Sequence, residues 1–183
     1  PDGAHGAPDV LNAPLYALSD VARLLHVHVD TLRYWVRGGT YALESGELRR
    51  AEPIVGEGAP RLSFQGLAEL SVVAHLWHLG FSLPHLRDVA RQITATTGTQ
   101  RPFLSHLLAG GGKEIAIEIE LGRPLSMSSP GQRVLPLPVE AIFRRVIADV
   151  GGTIVAVRPF SRPDQPFDDP EVIEIDPRRR FGR

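Results

Sequence analysis

Thr31-Leu32-Arg33-Tyr34-Trp35 is the stretch on which the fold turns. It sits inside a helical run from His28 to Arg37, in which Val29, Leu32 and Val36 recur at spacings of three and four and give the helix one apolar face. Gly38-Gly39 stops that run. Upstream, Ser19 reads as an N-cap, and Val21, Ala22, Leu24 and Leu25 form the apolar stripe of a two-turn helix that breaks at His26-Val27. Two short helices joined by a tight turn predict a helix-turn-helix.

Working outward, residues 38–60 are rich in Gly and charge. Thr40-Tyr41-Ala42-Leu43 and Leu48-Arg49-Arg50 flank Glu44-Ser45-Gly46-Glu47, as the two arms of a β-hairpin wing would. A third helix is expected from the N-cap Ser63, apolar on too much of its circumference (Phe64, Leu67, Leu70, Val73, Ala74, Leu76, Trp77) to lie on the surface. A fourth starts at Ser82, carries Leu83, Leu86, Ala90 and Ile93, and frays at Thr96-Thr97-Gly98. These elements define a first module over residues 15–98, preceded by a Gly- and Pro-punctuated flexible leader at 1–14.

Residues 99–176 change period. Ile115, Ile117 and Ile119 alternate with Ala116, Glu118 and Glu120, the two-residue repeat of a half-exposed strand. Arg133 to Leu137 reads as a further strand. Pro138 then fits the first turn of a helix whose stripe is Val139, Ile142, Phe143, Val146, Ile147 and Val150. Thr153 to Val157 and Val172 to Ile175 complete the strands. The whole chain is therefore expected to be α+β, a helical head followed by a small antiparallel α+β module.

Composition sets the outer limits. The chain has 183 residues with 20 Lys or Arg, 21 Asp or Glu and a formal charge of -1, so no bulk charge draws it to a polyanion. Within residues 15–61, Arg23, Arg33, Arg37, Arg49, Arg50 and Arg61 are balanced by Asp20, Asp30, Glu44, Glu47, Glu52 and Glu57. The absence of cysteine removes disulfides, thiolate metal sites and Cys nucleophiles, and fits a reducing, cytoplasmic setting. No run of ~18 apolar residues offers a membrane span.

The head resembles the MerR-type winged helix-turn-helix. Tyr16, Ala22, Val27, Thr31, Leu32, Arg33, Tyr34 and Trp35 stand at matching positions. Arg61-Leu62-Ser63-Phe64 with Leu67, Leu70, Leu76 and Leu79-Gly80-Phe81-Ser82-Leu83 resembles the helix pair that follows the wing. A helix-turn-helix presents the N-terminal side chains of its second helix to base edges in the major groove. Here those are His28, Asp30, Thr31 and, one turn on, Tyr34, with Arg33 and Arg37 reaching phosphates. The resemblance adds the wing arginines Arg49 and Arg50 as backbone contacts, while adjacent Trp35 is expected in the core against the third helix. His26 replaces the family's turn glycine and His28 its Ser or Thr cap, which predicts a less regular turn. The coiled coil and metal-binding cysteines of effector-sensing members are missing, so that role is not expected.

Downstream, Arg101-Pro102-Phe103, Gly112-Lys113-Glu114-Ile115, Gly131-Gln132, Arg144-Arg145-Val146, Val157-Arg158-Pro159-Phe160 and Val172-Ile173-Glu174-Ile175-Asp176-Pro177-Arg178 resemble two-domain bacterial antitoxins of the VapB type. In these a MerR-like head precedes a C-terminal module that opens on an I-D-P sequence. The resemblance implies that residues 177–183 begin that module and that most of it is missing. It further implies an antitoxin of a type II toxin–antitoxin system that binds operator DNA, represses its own operon and neutralises a PIN-domain ribonuclease, with the missing module carrying much of the toxin-facing surface. A homodimer is expected, because one helix-turn-helix spans only a short half-site, and the α+β module is the candidate interface.

Other readings carry less. His75, His78 and His85 lack a carboxylate or Cys spaced to complete a metal site, so neither metal nor cofactor is expected. No P-loop, G-x-S-x-G, H-E-x-x-H or dinucleotide fingerprint suggests an enzyme. Glu118 and Glu120 read as the wet face of their strand, and Arg178-Arg179-Arg180 as a solvated run. The alternatives are an assembly module whose helix-turn-helix never enters a groove, or a plain repressor with no toxin.

Overall fold

The computed structural model describes residues 9–56, 60–78, 80–104, 145–149, 153–159 and 173–179. The strand expected over Ile115 to Glu120, the strand at Arg133 to Leu137, and the leader before Asp9 lie outside them. The architecture is α+β, with helices built around one buried cluster and small two-stranded antiparallel sheets at its margins.

Tyr16–Ala17 forms β1, which runs directly into α1, Leu18–Leu24. Ser19 is therefore not the cap that periodicity suggested. Ala17 occupies the cap position in an extended conformation with no side-chain bond, and Ser19 already lies inside the helix. The reason is long-range: β1 pairs antiparallel with β4, Arg61–Leu62, and this pairing aims the chain so that helix follows strand without a connecting residue. Arg61 donates from Nη1 to the Leu15 carbonyl at 3.1 Å and tightens the same junction.

The turn after α1 keeps regular geometry despite its histidines. His26 sits at φ 54, the left-handed conformation that glycine adopts without cost. The His26 N–H donates to Arg23 O and the Val27 N–H to Ala22 O, the paired bonds of a Schellman C-cap. The next residue, His28, then caps α2, Val29–Arg37, its Nδ1 accepting from the Asp30 N–H at 3.3 Å. The irregularity predicted from the sequence is thus absorbed as backbone strain at one residue. His26→Gly is expected to stabilise the protein by about 1 kcal/mol, the usual cost of an L side chain in this region, read as a raised denaturation midpoint at unchanged slope.

Gly38 ends α2, and the wing follows as β2, Gly39–Ala42, and β3, Leu48–Ala51, paired Gly39↔Ala51 through Ala42↔Leu48. Beyond the wing, the Ile54 and Val55 N–H groups donate to the Trp35 carbonyl at 2.8 and 3.3 Å, returning the chain to α2 with both side chains buried.

The central helix is α3, Phe64–His78, capped as expected by Ser63 Oγ, which accepts from the Gly66 N–H at 3.0 Å. Twelve of its residues are buried, so it is the hub on which the other elements pack. Trp35 is completely buried and meets Trp77 of α3 edge-on, ring centroids 5.5 Å apart, the core position expected for it. From the same helix, His78 Nε2 donates to the Leu25 carbonyl at 3.1 Å. Ser82 caps α4, Leu83–Thr97, which runs through the threonines expected to fray and closes on Gly98 at φ 71.

The later residues depart most from expectation. Val146–Ala148, assigned by its periodicity to a helix over 139–150, is a strand, β5, paired antiparallel with β6, Ile154–Val157. A stripe of Val and Ile satisfies helical and extended spacing alike over a few residues, and β-branched side chains favour the pleated surface once a partner strand is present. All four residues of β6 are buried, and β6 lies against α3. Ile154 and Val157 join the same apolar cluster as α3, together with Phe103 and Leu104. Of the strand expected at Val172 to Ile175, the described part contributes a single bridge, Ile175 to Val157, with bonds of 2.9 and 3.0 Å in both directions. Asp176, one residue on, lies near Tyr16: burial and then the Asp176 charge push the Tyr16 phenol above its ordinary value, so this late segment sits against the first strand.

His75 of α3 supplies a pH signature. Burial, then the charges of His78 and Arg145, lowers it to about 4. Its unfolded value is near 6.5, so the folded state binds fewer protons and stability is complete only above that pH. Between pH 6.5 and about 4 the protein should lose on the order of 3 kcal/mol through this residue. Denaturant midpoints of the wild type and His75→Gln, compared across that range, should converge as the pH falls.

Candidate nucleic-acid interface

α2 owes its usefulness to a clean division of faces. Leu32, Trp35 and Val36 are buried, whereas His28, Asp30, Arg33 and Arg37 are exposed and Thr31 is half-buried. Asp30, Arg33 and Arg37 follow the helical repeat along one outward stripe, with His28 and Thr31 at its N-terminal end. The N-terminal end of a helix carries the free N–H groups and the positive pole of the dipole, which suits it to meet a negatively charged groove.

The free protein holds this stripe in internal pairs. The Arg33 guanidinium bonds the Asp30 carboxylate one turn earlier, and the His28 ring lies 3.7 Å from the same carboxylate. An exposed pair of this kind is worth little, about 0–1 kcal/mol, so Arg33 can exchange Asp30 for a phosphate at small cost. Arg37 has no ion pair among the described residues. Its position in the last turn, beside the C-terminal pole of the helix, is electrostatically favourable in the free state.

The wing stands beside this stripe. Arg49 bonds Glu47 two residues earlier on the same arm of the hairpin, Nε to Oε1 3.2 Å, and Arg50 pairs in register with Thr40; both arginines are exposed. Seven of the eight sequence candidates, His28, Asp30, Thr31, Arg33, Arg37, Arg49 and Arg50, thus lie exposed or, for Thr31, half-buried on α2 and the wing that follows it.

Tyr34 is different. Its half-buried ring lies against Gly39, where any Cβ would come within 2.9 Å of the ring, and under the Arg87 guanidinium of α4, 4.8 Å from the centroid. Tyr34 is therefore built into the junction of α2, wing and α4 more than it is offered to solvent. Arg87 completes that junction by donating from Nε to the Glu52 carbonyl at 2.8 Å. Arg87 was not singled out in the sequence, because an arginine on an amphipathic helix carries no sign of what lies opposite it.

A second residue missed by the sequence reading is Glu69, a carboxylate with no exposed surface in the middle of α3. Oε1 accepts from the Phe103 N–H at 3.1 Å and Oε2 from Arg101 Nη1 at 3.4 Å, while Arg101 Nη2 reaches Ser63 Oγ at 3.3 Å. Its signal was present as one acid in an otherwise apolar helix. The residues that satisfy it are more than thirty positions away.

Among the described residues no group of His, Asp and Glu is arranged to hold a metal ion, and no helix is long and apolar enough to cross a membrane. Residues 16–93 match the family model described as MerR HTH family regulatory protein. The chain is also similar to a solved structure described as the X-ray crystal structure of Rv2018 from Mycobacterium tuberculosis, with a TM-score of 0.58 and 20% identity over 94% of this chain and 79% of that one. At that identity the likeness speaks for the fold alone, and it extends past the head into the later residues. No curated protein matches the chain. Turn, outward stripe, wing and paired helices agree with that match, and over residues 16–93 the N-terminal head has the fold of a MerR-like winged helix-turn-helix.

Proposed function

We propose that the protein binds operator DNA through α2 and the wing, represses its own operon, and acts as the antitoxin to a PIN-domain ribonuclease. The observation that carries the DNA half is the outward stripe of α2: Asp30, Thr31 and Arg33 are exposed or half-exposed at the helix N-terminus, while the opposite face is locked into the core by Trp35. In this reading Thr31, with His28 and Asp30, reads base edges, Arg33 and Arg37 hold phosphates, and Arg49 and Arg50 follow the backbone from the wing. Tyr34 supports the helix from behind, packed against Gly39 and under Arg87. The toxin half rests on the dispersed antitoxin-like residues of the later sequence, Val157-Arg158-Pro159 and Ile173 to Arg178 among them, and the protein acts in the cytoplasm beside its partner.

The head is electrically balanced, so its non-specific affinity for DNA is weak. Useful repression then depends on two copies engaging two half-sites, or on the toxin bridging them. DNA from directly upstream of the gene is expected to bind, with affinity falling steeply as salt rises. Arg33→Ala should weaken every sequence about equally, and Thr31→Ala should change base preference. The toxin half is checked by co-purification of the ribonuclease encoded by the neighbouring gene. Binding of the operator without any such partner would reduce the reading to a plain repressor. No operator binding at low salt would leave the helix-turn-helix as an assembly element.

A further inference from the structure

A groove of about 600 Å³ opens between the wing and the first turns of α4, a volume in the range of small-ligand sites. Its floor includes Tyr34, and its walls carry Arg50 and Tyr41 from the wing and Arg87 and Arg91 from α4. Two acids share the lining. Asp88 is paired with Arg91 at 2.8 Å, and Glu52 meets Arg87 through its main-chain carbonyl. Arg50 and Arg87 have no ion pair among the described residues.

Arg87 is the unusual member. Its Nε is used by the Glu52 carbonyl and its face by the Tyr34 ring, yet its Nη2 is buried without a hydrogen-bond partner. A buried donor left without an acceptor is destabilising, more so when it is charged. A planar guanidinium already fixed on two sides has lost most of its side-chain freedom, so it offers its remaining N–H groups to an acceptor with little further ordering. Three arginines lining one partly enclosed groove, one of them with a buried unmade donor, suit an oxyanion of the phosphate class as acceptor.

We propose that this groove binds a phosphate group, with Arg87 as the central donor and Arg50 and Arg91 closing on it from either side. Occupancy would tie wing to α4 across Tyr34, and so fix the wing relative to the reading helix. The site deepens the DNA-binding reading but does not stand or fall with it, because the phosphate is either a backbone phosphate outside the bases read by α2 or part of a free phosphorylated molecule.

The test uses the full chain, inorganic pyrophosphate as the free probe and duplex DNA from upstream of the gene as the other. Arg91→Gln and Arg50→Gln remove exposed arginines and leave the Tyr34 junction intact, while Arg87→Gln removes the central donor. If the phosphate belongs to DNA, Arg91→Gln, which lies outside the contacts assigned to α2 and the wing, lowers the slope of log affinity against log salt by about one, with pyrophosphate binding weak or absent. If it belongs to a free ligand, pyrophosphate raises the melting temperature of the wild type, the rise disappears in all three variants, and Arg91→Gln leaves the DNA salt slope unchanged. Either result supports the site. It is overturned if pyrophosphate has no effect and Arg91→Gln leaves the DNA slope unaltered. A protein that binds no duplex at all removes the proposed function, and the pyrophosphate arm then decides the groove alone.

Discussion

Replacing Glu69 with alanine is expected to cost the fold about 3–5 kcal/mol, the range for removing one partner from a buried charged pair. The carboxylate is fully buried and accepts from two groups on the segment after α4, the Phe103 main-chain N–H and the Arg101 guanidinium. Alanine leaves both donors without their acceptor, and the space left cannot be filled without moving Phe103, itself completely buried. Arg101 also reaches Ser63 Oγ, the cap of α3, so the damage should spread to the start of that helix. Glu69→Gln should cost less than the alanine, since its amide oxygen still accepts one of the two bonds. Urea denaturation of the three proteins measures this directly. An alanine variant within about 0.5 kcal/mol of wild type, the usual range for surface positions, would mean that residues 101–104 are not anchored through Glu69.

The second large effect is expected at Gly38, which joins α2 to the wing. Its φ of 70° and ψ of −163° fall in a region that only glycine occupies without strain. A Cβ there would also lie 2.3 Å from the Ala51 carbonyl oxygen and 3.2 Å from the Glu52 carbonyl carbon, and these are backbone atoms with no rotamer by which to retreat. Gly38→Ala must therefore either distort the end of α2 or push β3 away from it. The strain alone is on the order of 1–3 kcal/mol, with the clash in addition. Because β3 carries Arg49 and Arg50, the variant should lose DNA affinity beyond its loss of stability. Denaturation midpoints and DNA titrations of the same preparation separate the two losses. Unchanged DNA affinity in a folded Gly38→Ala protein would show that wing placement is irrelevant to binding.

What the sequence revealed follows the range of the forces involved. α2, α3, α4 and the wing were legible because local signals agree with the tertiary outcome: caps at Ser63 and Ser82, a left-handed stop at Gly98, apolar spacing in α2 and two arms around Gly46. The two-residue pairing of β1 with β4 has no local signature, since it joins residues some forty-five positions apart, and it displaced the expected cap at Ser19. Val146 to Ala148 went to a strand because its Val and Ile satisfy both periods and only the presence of β6 decides between them. At the interface, the stripe from His28 to Arg37 followed from periodicity. The sequestration of Tyr34 under Arg87 did not, because it depends on how α4 crosses the wing.

Whether α2 and the wing together bind DNA is decided by salt titration of the full chain against duplex DNA taken from immediately upstream of its gene, with Arg33→Ala and Arg49→Ala measured alongside the wild type. Binding is expected at low salt and should weaken linearly in log salt, with each variant lowering that slope by about one. That expectation is contradicted if the folded wild type binds no such DNA at low salt, or if it binds with a slope that neither α2 nor the wing influences.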